Sequence, residues 1–296
     1  MMKVLFVSDF ASDKPGGAQL SNRKIIEKGR DLGFDITELN INSSRLPLSF
    51  QYDVVITSNF DWFLKEPDIN FIFDKITEHS CHVRYEHDSC TYFAPQIRKK
   101  FMESVKLNLF LSDFHLQFFQ NDYGDLYQNN AIVYDPIDTE IFKTKDVEKE
   151  YDYIYCGYVH PLKGFLNYAR LVEQNPDKKF CLIGWSDDSS HDHFRHHNFN
   201  LQKFLETNKN LTLLNYQTQE KVAEYFQKSK KIFHKPMVNE PFCRMVAEAL
   251  LCGCEFEGNK NTIGSYLEYN KHGAEAFKEG CKNAADLFWA QIKENL

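Results

Sequence analysis

An α/β fold with two parallel sheets is predicted by three features of the sequence. Short apolar runs alternate with helical patterns along the whole chain, which is typical of βα units. A charged segment, KTKDVEKE at 143–150, interrupts the alternation, and the same pattern then restarts. We therefore expect two domains, over 1–145 and 151–273, joined by a linker near residue 145.

Each predicted strand is a short run of mainly apolar residues. In the first half these strands are 3–7, 53–57, 82–86, 107–111 and 131–134, and in the second half they are 153–156, 180–183, 211–214 and 231–234. Helices are predicted near 164–174, 218–229 and 241–252. One more helix is predicted over 274–294, and we expect the segment 274–296 to pack back toward the first domain.

Composition indicates a protein that folds in water. The chain has 296 residues, of which 43% are hydrophobic and 26% are charged, as is typical of soluble globular proteins. No apolar stretch approaches the roughly 20 residues that span a bilayer, and the apolar part of the N-terminal MMKVLFVSDF is too short for a signal peptide. The eight cysteines form no CxxC pair and no disulfide spacing. We therefore expect a cytoplasmic protein without stable membrane insertion.

The net charge of −7 is unevenly distributed along the chain. Residues 1–150 carry 17 Lys and Arg against 24 Asp and Glu, whereas 151–296 carry 18 against 18. A duplex-binding face usually has a basic surplus, so the acidic first half counts against nucleic acid as its partner. A local basic cleft remains open as an alternative.

Near the C-terminal end, NEPFCRMVAEALLCG at 239–253 places two carboxylates, Glu240 and Glu248, in a mostly apolar run. Pro241 suits a first helical position, which predicts that Glu240 lies at the N-cap or just outside it. Eight helical residues span about 12 Å, a length that suits a long polar ligand. Glu248 needs a partner because an unpaired buried carboxylate is costly. Alternatively, Glu240 only caps the helix dipole and Glu248 pairs with Arg244.

Two loops that follow predicted strands have the features of anion sites, and ligands of such sheets bind at the carboxyl ends of strands. Gly16 and Gly17 precede a helix expected to begin near Ala18, so backbone N–H groups can approach an anion. The loop lacks the GxGxxG pattern, and a plain βα turn is the alternative. In YCGYVHPLKGF, Gly157 ends a strand and Lys163 stands at a helix start, which favours phosphate. A solvent-facing lysine is the alternative.

His87 and Asp88 lie just past a predicted strand in VRYEHDSCTYF. A histidine beside an aspartate at a strand end is a candidate catalytic dyad, although a lone histidine is usually a satisfied core residue. Four histidines and three aspartates crowd GWSDDSSHDHFRHHNF at 184–199. We interpret that stretch as a polar loop and predict no metal site in it.

Taken in order, these motifs resemble those of the family 4 glycosyltransferases, and the resemblance covers nearly the whole chain. The family's Gly-Gly loop is matched by KPGGAQ, its serine-led helix start by LSDFHLQFF at 111–119, and its NGIDxxxF element by DPIDTEIF at 135–142. Its GRLxxxKG element is matched by GYVHPLKG at 157–164, and its motif EPFGRxxxEAxACG by EPFCRMVAEALLCG. The last match is highly specific. The compact chain is also similar to transferases encoded by phages and viruses.

The resemblance implies an α/β fold of the GT-B type, in which two Rossmann-like β/α/β domains face each other across a cleft. The N-terminal domain would bind the acceptor, and the C-terminal domain would bind a nucleotide-sugar donor. In the family the first glutamate of E-x7-E contacts the donor sugar and the second binds the ribose hydroxyls, which implies these roles for Glu240 and Glu248. The resemblance further implies that Lys163 supports the diphosphate together with the Gly-Gly loop, and that His87 lies near the reacting sugar.

The resemblance therefore assigns two groups of site residues. The catalytic group is His87, Asp88, Lys163 and Glu240, and the donor-binding group is Gly16, Gly17, Gly157, Lys163, Glu240, Pro241, Phe242, Arg244 and Glu248. The chain departs from the family at Tyr158, which replaces the arginine of GRLxxxKG and removes half of the usual cationic pair. Arg244 or Lys235 is expected to compensate. The usual apolar strand after E-x7-E is replaced by the polar CEFEGNKNTIGS.

We expect a retaining glycosyltransferase that moves a sugar from a UDP-linked donor to a hydroxyl acceptor without a metal or other cofactor. A polysaccharide, a lipid-linked sugar, a protein and hydroxymethylated DNA bases all stay open as acceptors. A phage-type DNA glycosyltransferase is one alternative. A non-catalytic relative that binds a nucleotide or glycan is the other, and Tyr158 is the residue that favours it.

Overall fold

The structure is a computed structural model that describes residues 1–9, 16–41, 51–59, 69–88, 95–124, 129–186 and 188–295, without the side chains of 69–71, 95–96, 122–123 and 188–189. The chain divides into two compact units. Unit 1 comprises Met1–Pro136 and Glu279–Leu296, and unit 2 comprises Ile137–Lys278. Lys14 and Pro15 of the KPGGAQ motif, Cys90 and Asp187 lie outside the described residues.

Unit 1 contains a parallel sheet with helices in the connections. Its described strands are β1 (Lys3–Ser8), β2 (Asp35–Asn40), β3 (Val54–Ser58), β4 (His82–Tyr85), β5 (Val105–Phe110) and β6 (Asn130–Ile132). Its described helices are α1 (Gly17–Asp31), α2 (Ile69–Thr77), α3 (Pro95–Ser104), α4 (Asp113–Tyr123) and, at the C-terminal end of the chain, α12 (Ala284–Glu294). The strand order β2-β1-β3-β4-β5-β6 reverses between β1 and β3.

The sequence of unit 1 explains its sheet and its helix contacts. β1 and β3 read KVLFVS and VVITS and are buried over nearly their whole length, as parallel strands covered on both faces require. Ser112 caps α4 by accepting a hydrogen bond from the His115 backbone N–H, as the serine-led motif predicts. The buried Trp289 of α12 donates from its indole Nε1 to the Ile25 carbonyl of α1 at 2.8 Å. The end of the chain thus completes the core of unit 1.

Unit 2 contains a second parallel sheet. Its described strands are β7 (Tyr151–Tyr158), β8 (Phe180–Trp185), β9 (Leu211–Leu214), β10 (Ser229–His234) and β11 (Glu255–Gly258). Its described helices are α5 (Phe165–Gln174), α6 (Asp188–His196), α7 (Leu201–Thr207), α8 (Gln219–Gln227), α9 (Arg244–Leu251) and α10 (Gly264–His272), and α11 (Ala274–Lys282) runs across the boundary to unit 1. The order β11-β10-β7-β8-β9 places the first strand of the unit in the middle of the sheet.

An aromatic core under β7 and β8 stabilises unit 2. The rings of Tyr155, Phe165, Tyr168 and Phe180 are almost completely buried and contact one another edge-on or tilted, with centroid distances of 5.3–6.1 Å. Aromatic pairs in such geometries contribute about 0.5–1.5 kcal/mol each beyond their buried area. This core packs α5 against β7 and β8, and the candidate site lies at the carboxyl ends of these strands.

All nine predicted strands overlap observed strands, but β2 and β11 are not predicted by the sequence. Both are edge strands, and their sequences, DITELN and EFEG, are polar because an edge strand has a neighbour on one side only. A search for apolar runs therefore does not predict these two edge strands.

Three predictions on helices and loops are wrong. The stretch 184–199, expected to be a polar loop, contains α6. The helix expected over 274–294 is broken at Asn283 into α11 and α12. The helix expected over 241–252 begins only at Arg244, because Glu240 to Cys243 follow an irregular path in which Cys243 has a left-handed backbone.

These observations establish two Rossmann-like α/β units, since both sheets are parallel and helices connect their strands. Within the part of the chain that the structure describes, no helix combines the length and apolarity needed to cross a membrane.

Candidate functional site

The candidate site of unit 2 lies where the strand order of its sheet reverses. β7 has β8 on one side and β10 on the other, so the connections after β7 and β10 diverge and leave a crevice at their carboxyl ends. Lys163 follows β7, and Glu240 follows β10. Parallel α/β sheets bind their ligands at this kind of position.

A tight turn after β7 positions Lys163. The His160 ring accepts a hydrogen bond at Nδ1 from the Leu162 N–H at 3.1 Å and so caps a short 3-10 turn, Pro161–Lys163. Gly164 then adopts φ 83°, a left-handed conformation that favours glycine. A Cβ atom at Gly164 would lie 2.1 Å from the Lys235 carbonyl oxygen. This close approach of backbone to backbone brings Lys163 to the end of β10.

Lys163 and Glu240 form an ion pair at the strand ends. The Lys163 Nζ donates to Glu240 Oε1 at 2.7 Å, and the Lys163 side chain is 41% exposed while that of Glu240 is 12% exposed. His234 Nε2 lies 3.6 Å from the same oxygen. Burial alone would raise the pKa of the Glu240 carboxyl, but the charge of Lys163 and the adjacent His234 ring outweigh burial and hold that pKa at about 2. Glu240 is therefore a carboxylate at any physiological pH.

The backbone around Glu240 is held by a neighbouring loop rather than by a helix cap. The Glu240 N–H donates to the Thr262 carbonyl and its own carbonyl accepts from the Gly264 N–H, both at 2.9 Å. Glu240 is therefore not the N-cap, which is Cys243, and lies outside the helix, and the first helical position predicted for Pro241 is wrong. Both residues precede α9 by three or more positions.

Pro241 and Phe242 are buried between the two glutamates. The Phe242 ring stacks on Phe277 with a centroid distance of 6.0 Å and an interplanar angle of 18°. The Phe242 carbonyl accepts a hydrogen bond from the Ser265 N–H at 2.8 Å. These contacts support the path of the chain that carries Glu240.

Arg244 and Glu248 form a second ion pair, one helical turn apart on α9. Arg244 Nη2 lies 3.1 Å from Glu248 Oε1, and the side chains are 6% and 11% exposed. The sequence offered this pair as an alternative to ligand binding, and the structure shows that it exists. A carboxylate has two oxygens and about four acceptor sites, so one arginine does not use all of its capacity.

Tyr158, which stands where the resemblance expects an arginine, belongs to an aromatic stack. Its ring is stacked with His160 at 5.1 Å and tilted against Trp185 at 4.4 Å between centroids. Gly157, at φ 116°, turns the chain at the end of β7 so that Tyr158 can face Trp185 across to β8. Lys235 is exposed beside this edge of the sheet.

A cavity of about 360 Å³ opens beside Trp185. Its lining includes the apolar side chains of Val159, Leu182 and Leu213 and, at the carboxyl ends of β8 and β9, the rings of Trp185 and Tyr216. Apolar walls with aromatic rims are typical of sites for planar ligands. The cavity therefore extends the edge that already holds Lys163 and Glu240.

In unit 1, the predicted glycine pair stands at the start of α1. Gly16 immediately precedes the helix and Gly17 is its first residue, one position earlier than expected. No acidic residue lies in the first turn of this 15-residue helix, so its N-terminal N–H groups can face an anion. α1 follows β1, next to the point where the sheet order reverses.

His87 is nearly buried at the end of β4, in a polar network. Its Nδ1 lies 3.6 Å from Asp135 Oδ1, and its Nε2 lies 3.2 Å from Asn22 Oδ1. Ser21 donates to the same Asp135 oxygen at 2.6 Å. The carboxylate paired with His87 is thus Asp135, not the neighbouring Asp88.

The backbone of Asp88 contacts the side chains of Glu86 and His115. Its backbone N–H donates to Glu86 Oε1 at 3.0 Å, and its carbonyl lies 2.9 Å from His115 Nε2. Burial, with smaller contributions from the nearby Arg84 and His87, lowers the pKa of His115 to about 3 despite that carbonyl contact, so His115 is neutral. These contacts hold the backbone beyond β4 and place the His87 ring.

Sequence reasoning missed His234, Cys243 and Asp135. His234 ends β10 and Asp135 follows β6, and the rule that chemistry follows strand ends would have found both. Cys243 stands where the family motif EPFGR has glycine, and its left-handed backbone explains why glycine is usual there.

Comparison with known proteins places this site in a family. The model of the family "Glycosyl transferases group 1" matches residues 136–292, which is more than half of the chain and includes Lys163, Glu240, Arg244 and Glu248. No curated protein matches the chain in sequence.

Solved structures of similar fold cover the chain almost completely. HepE from Anabaena in complex with UDP-glucose has a TM-score of 0.67 at 16% identity, covering 100% of this chain and 97% of that one. An alpha-glucosyltransferase in complex with UDP and a 13-mer DNA containing an HMU base has a TM-score of 0.63 at 12% identity, covering 99% of both chains. Sucrose-phosphate synthase from Thermosynechococcus elongatus has a TM-score of 0.66 at 10% identity, with 99% and 97% covered. At these identities the likeness shows the fold alone, which is the two-domain GT-B fold that the sequence predicts.

Proposed function

Because the chain belongs to the family of glycosyl transferases group 1 and is therefore a nucleotide-sugar-dependent glycosyltransferase, we propose that it uses a UDP-linked donor and a hydroxyl acceptor and retains the anomeric configuration. The Lys163–Glu240 pair carries this proposal. It provides a cation for a leaving diphosphate and a carboxylate for a sugar hydroxyl at the strand ends where such sheets bind ligands.

The proposed transfer breaks one bond and forms one. The bond between the anomeric carbon and the β-phosphate oxygen breaks, and its electron pair leaves with UDP. The acceptor hydroxyl oxygen bonds to the anomeric carbon on the face from which UDP departs, and its proton passes to the departing phosphate. Negative charge grows on the diphosphate during this step, so a fixed cation beside it stabilises the transition state more than the ground state.

Lys163 is suited to this role because it is partly exposed and carries three N–H donors. One donor is used by Glu240 in the structure, so Lys163 can keep this contact while donating to a phosphate oxygen. Glu240, with a pKa of about 2, stays ionised beside the donor and accepts hydrogen bonds from sugar hydroxyls.

The donor's nucleoside would bind along the same edge. We propose that the Glu248 carboxylate accepts hydrogen bonds from the ribose hydroxyls while Arg244 neutralises its charge. The cavity beside Trp185 and Tyr216 would hold the base. An aromatic rim offers stacking to a uracil ring. The UDP named with HepE and with the DNA-bound alpha-glucosyltransferase supports uridine as the base.

The proposed reaction does not use a metal or another cofactor. Lys163 and the backbone N–H groups at helix starts would offset the diphosphate charge that a divalent cation offsets elsewhere. We further propose that the protein acts in the cytoplasm, that unit 1 binds the acceptor, and that His87 acts near the reacting sugar. The Asp135 contact, which orients the His87 ring, supports this last role.

Hydroxymethylated DNA is the second candidate acceptor. The similar alpha-glucosyltransferase bound to DNA with an HMU base favours it. The acidic excess of residues 1–150 opposes it, because a DNA-binding surface needs cations for the phosphates. We therefore place a glycan or another uncharged hydroxyl compound first.

Donor hydrolysis tests the proposal directly. The enzyme is incubated with UDP- and GDP-sugars in chelator-treated buffer, and then with labelled UDP-sugar plus a glycan panel and hydroxymethylcytosine DNA. We expect nucleotide release from a UDP-sugar without added metal. No turnover of any donor, together with no thermal shift at millimolar nucleotide, would indicate a non-catalytic relative, since a ligand at 100 Kd adds about 2.7 kcal/mol of stability.

A further inference from the structure

Three different metal-binding side chains form a cluster that shares Glu240 with the Lys163–Glu240 pair. His234, Glu240 and Cys243 each present one ligand atom, and these atoms lie within 4.8 Å of one another. His234 ends β10, Glu240 is held by the loop before α10, and Cys243 immediately precedes α9. Three separate points of the backbone thus bring a nitrogen, an oxygen and a sulfur together.

The imidazole of His234 is the first reason to regard this cluster as a site. The residue is 3% exposed, and neither ring nitrogen has a hydrogen-bond partner among the described residues. Its Nε2 points toward Glu240 at 3.6 Å, which is longer than a hydrogen bond. Leaving a buried polar group unsatisfied costs about 1–3 kcal/mol, so such a group in a native fold calls for a ligand or a chemical role.

The backbone of Cys243 is the second reason. It adopts φ 69° and ψ 79°, a left-handed conformation that costs an L-residue about 1–2 kcal/mol. Residues other than glycine keep such a conformation mainly at functional positions. The strain places the Cys243 thiol next to Glu240 and His234.

We infer that His234, Glu240 and Cys243 form a site for a thiophilic divalent cation, Zn²⁺ foremost, and that the cation competes with Lys163 for Glu240. Zn²⁺ binds imidazole, carboxylate and thiolate at about 2.0–2.3 Å, which gives edges of roughly 3.3–3.8 Å between tetrahedral ligands. The His234–Glu240 separation of 3.6 Å already lies in that range. Mg²⁺ and Ca²⁺ prefer oxygen ligands and do not fit this donor set.

Metal uptake changes the site in a defined way. The Cys243 thiol loses its proton to solvent when the sulfur binds, at a cost because burial and nearby Glu240 raise its pKa. Lys163 leaves Glu240, since the carboxylate oxygen now faces the cation, and its partly exposed side chain can swing into solvent. The fourth position stays open to water. Zn²⁺ thereby removes the diphosphate cation and inhibits transfer, a consequence that rests on the proposed function, whereas binding itself does not.

Cobalt spectroscopy on the 296-residue chain tests the binding. Co²⁺ is titrated into reduced, chelator-treated protein, and Zn²⁺ is then added in competition with a chromophoric chelator. We expect one equivalent of Co²⁺ with a thiolate-to-cobalt charge-transfer band and tetrahedral visible bands. Cys243→Gly should abolish the charge-transfer band, and His234→Gln should weaken Zn²⁺ binding by at least about tenfold, as loss of even an outer ligand contact does.

Two controls keep this result specific. Cys81→Ser removes a partly buried thiol of unit 1, and the double variant His196→Ala with His197→Ala removes two exposed histidines, and neither change should affect the band. Cys243→Gly also relieves the left-handed strain, so its thermal midpoint should equal or exceed that of the wild type. A band that survives in Cys243→Gly, or no band in the wild type, overturns the site.

Inhibition is measured separately from binding. Micromolar Zn²⁺ should lower sugar transfer by the wild type, and Cys243→Gly should resist it by at least about tenfold in concentration. Tight Zn²⁺ binding with undiminished transfer would overturn the competition with Lys163. Zn²⁺ binding by a chain that shows no transfer without metal would instead contradict the proposed function and leave the site standing.

Discussion

The two cation–carboxylate pairs around the E-x7-E motif differ in their contact with water. In the Arg244–Glu248 pair both side chains are about nine-tenths buried, whereas Lys163 in the Lys163–Glu240 pair is 41% exposed. A buried pair is costly to break because a charge is left without its partner, while an exposed cation can exchange partners at little cost. The buried pair is therefore expected to contribute more to the stability of the fold, and the exposed Lys163 is expected to be the more available to a ligand.

Breaking the buried Arg244–Glu248 pair should give the largest change in the free energy of unfolding. Arg244→Met removes the cation and leaves the Glu248 carboxylate buried, so the free energy of unfolding should fall by about 3–5 kcal/mol. Adding Glu248→Leu should restore much of this loss, since two apolar side chains replace two charges. Denaturant unfolding measures both values.

The matched control is Arg195→Met, which breaks an exposed ion pair with Asp192 and should cost less than about 1 kcal/mol. An Arg244→Met variant no less stable than the Arg195→Met variant would show that burial does not distinguish the two kinds of pair.

Removing the exposed cation should affect rate more than stability. Lys163→Ala should lower kcat by about 10²–10³, because one preorganised group on the leaving diphosphate is lost. Tyr158→Arg, which restores the second cation of the family pattern, should maintain or raise kcat. Steady-state kinetics with the best UDP-sugar measure both.

Lys231→Ala is the control for Lys163→Ala. Lys231 also forms a partly exposed pair in unit 2, with Glu257 at 3.0 Å, and kcat should not change. Near-full kcat in Lys163→Ala, combined with its loss in Lys235→Ala, would move the phosphate site to Lys235.

How far the sequence predicts this site depends on which contacts are local. The E-x7-E motif and Lys163 follow from short patterns, and all nine predicted strands exist. The start of α9 could not be predicted, because a tertiary bridge between Glu240 and Ile263 holds the chain extended past Pro241. The pairing of His87 with Asp135 joins residues 48 positions apart and leaves no local signal.

Glu248→Gln tests whether the buried pair also binds the donor. Gln keeps the shape but loses charge-assisted hydrogen bonds to ribose, so donor affinity should fall by about 1.5–3 kcal/mol. Isothermal titration with UDP measures this loss. Because Glu248 pairs with Arg244, the Gln variant should also lose folding stability. A destabilised Gln variant with unchanged UDP affinity would restrict Glu248 to a structural role.

Acid should weaken the exposed pair only at low pH. The folded-state pKa of Glu240, about 2, lies below its usual 4.5, so the carboxylate contributes stability above pH 4.5 that is lost as the pH falls toward 2. We expect the stability advantage over Glu240→Gln to shrink by about 1–2 kcal/mol between pH 6 and pH 3. Parallel unfolding curves at the two pH values would show it, and a constant difference would contradict the pKa.

Paired titrations of UDP and UMP into the wild type and Lys163→Ala show whether Lys163 binds the diphosphate of a uridine nucleotide. The wild type should bind UDP at least about tenfold more tightly than UMP, which corresponds to about 1.4 kcal/mol for the β-phosphate. Lys163→Ala should bind the two nucleotides nearly equally. An undiminished preference for UDP in Lys163→Ala, or no binding of UDP by the wild type, would contradict the account.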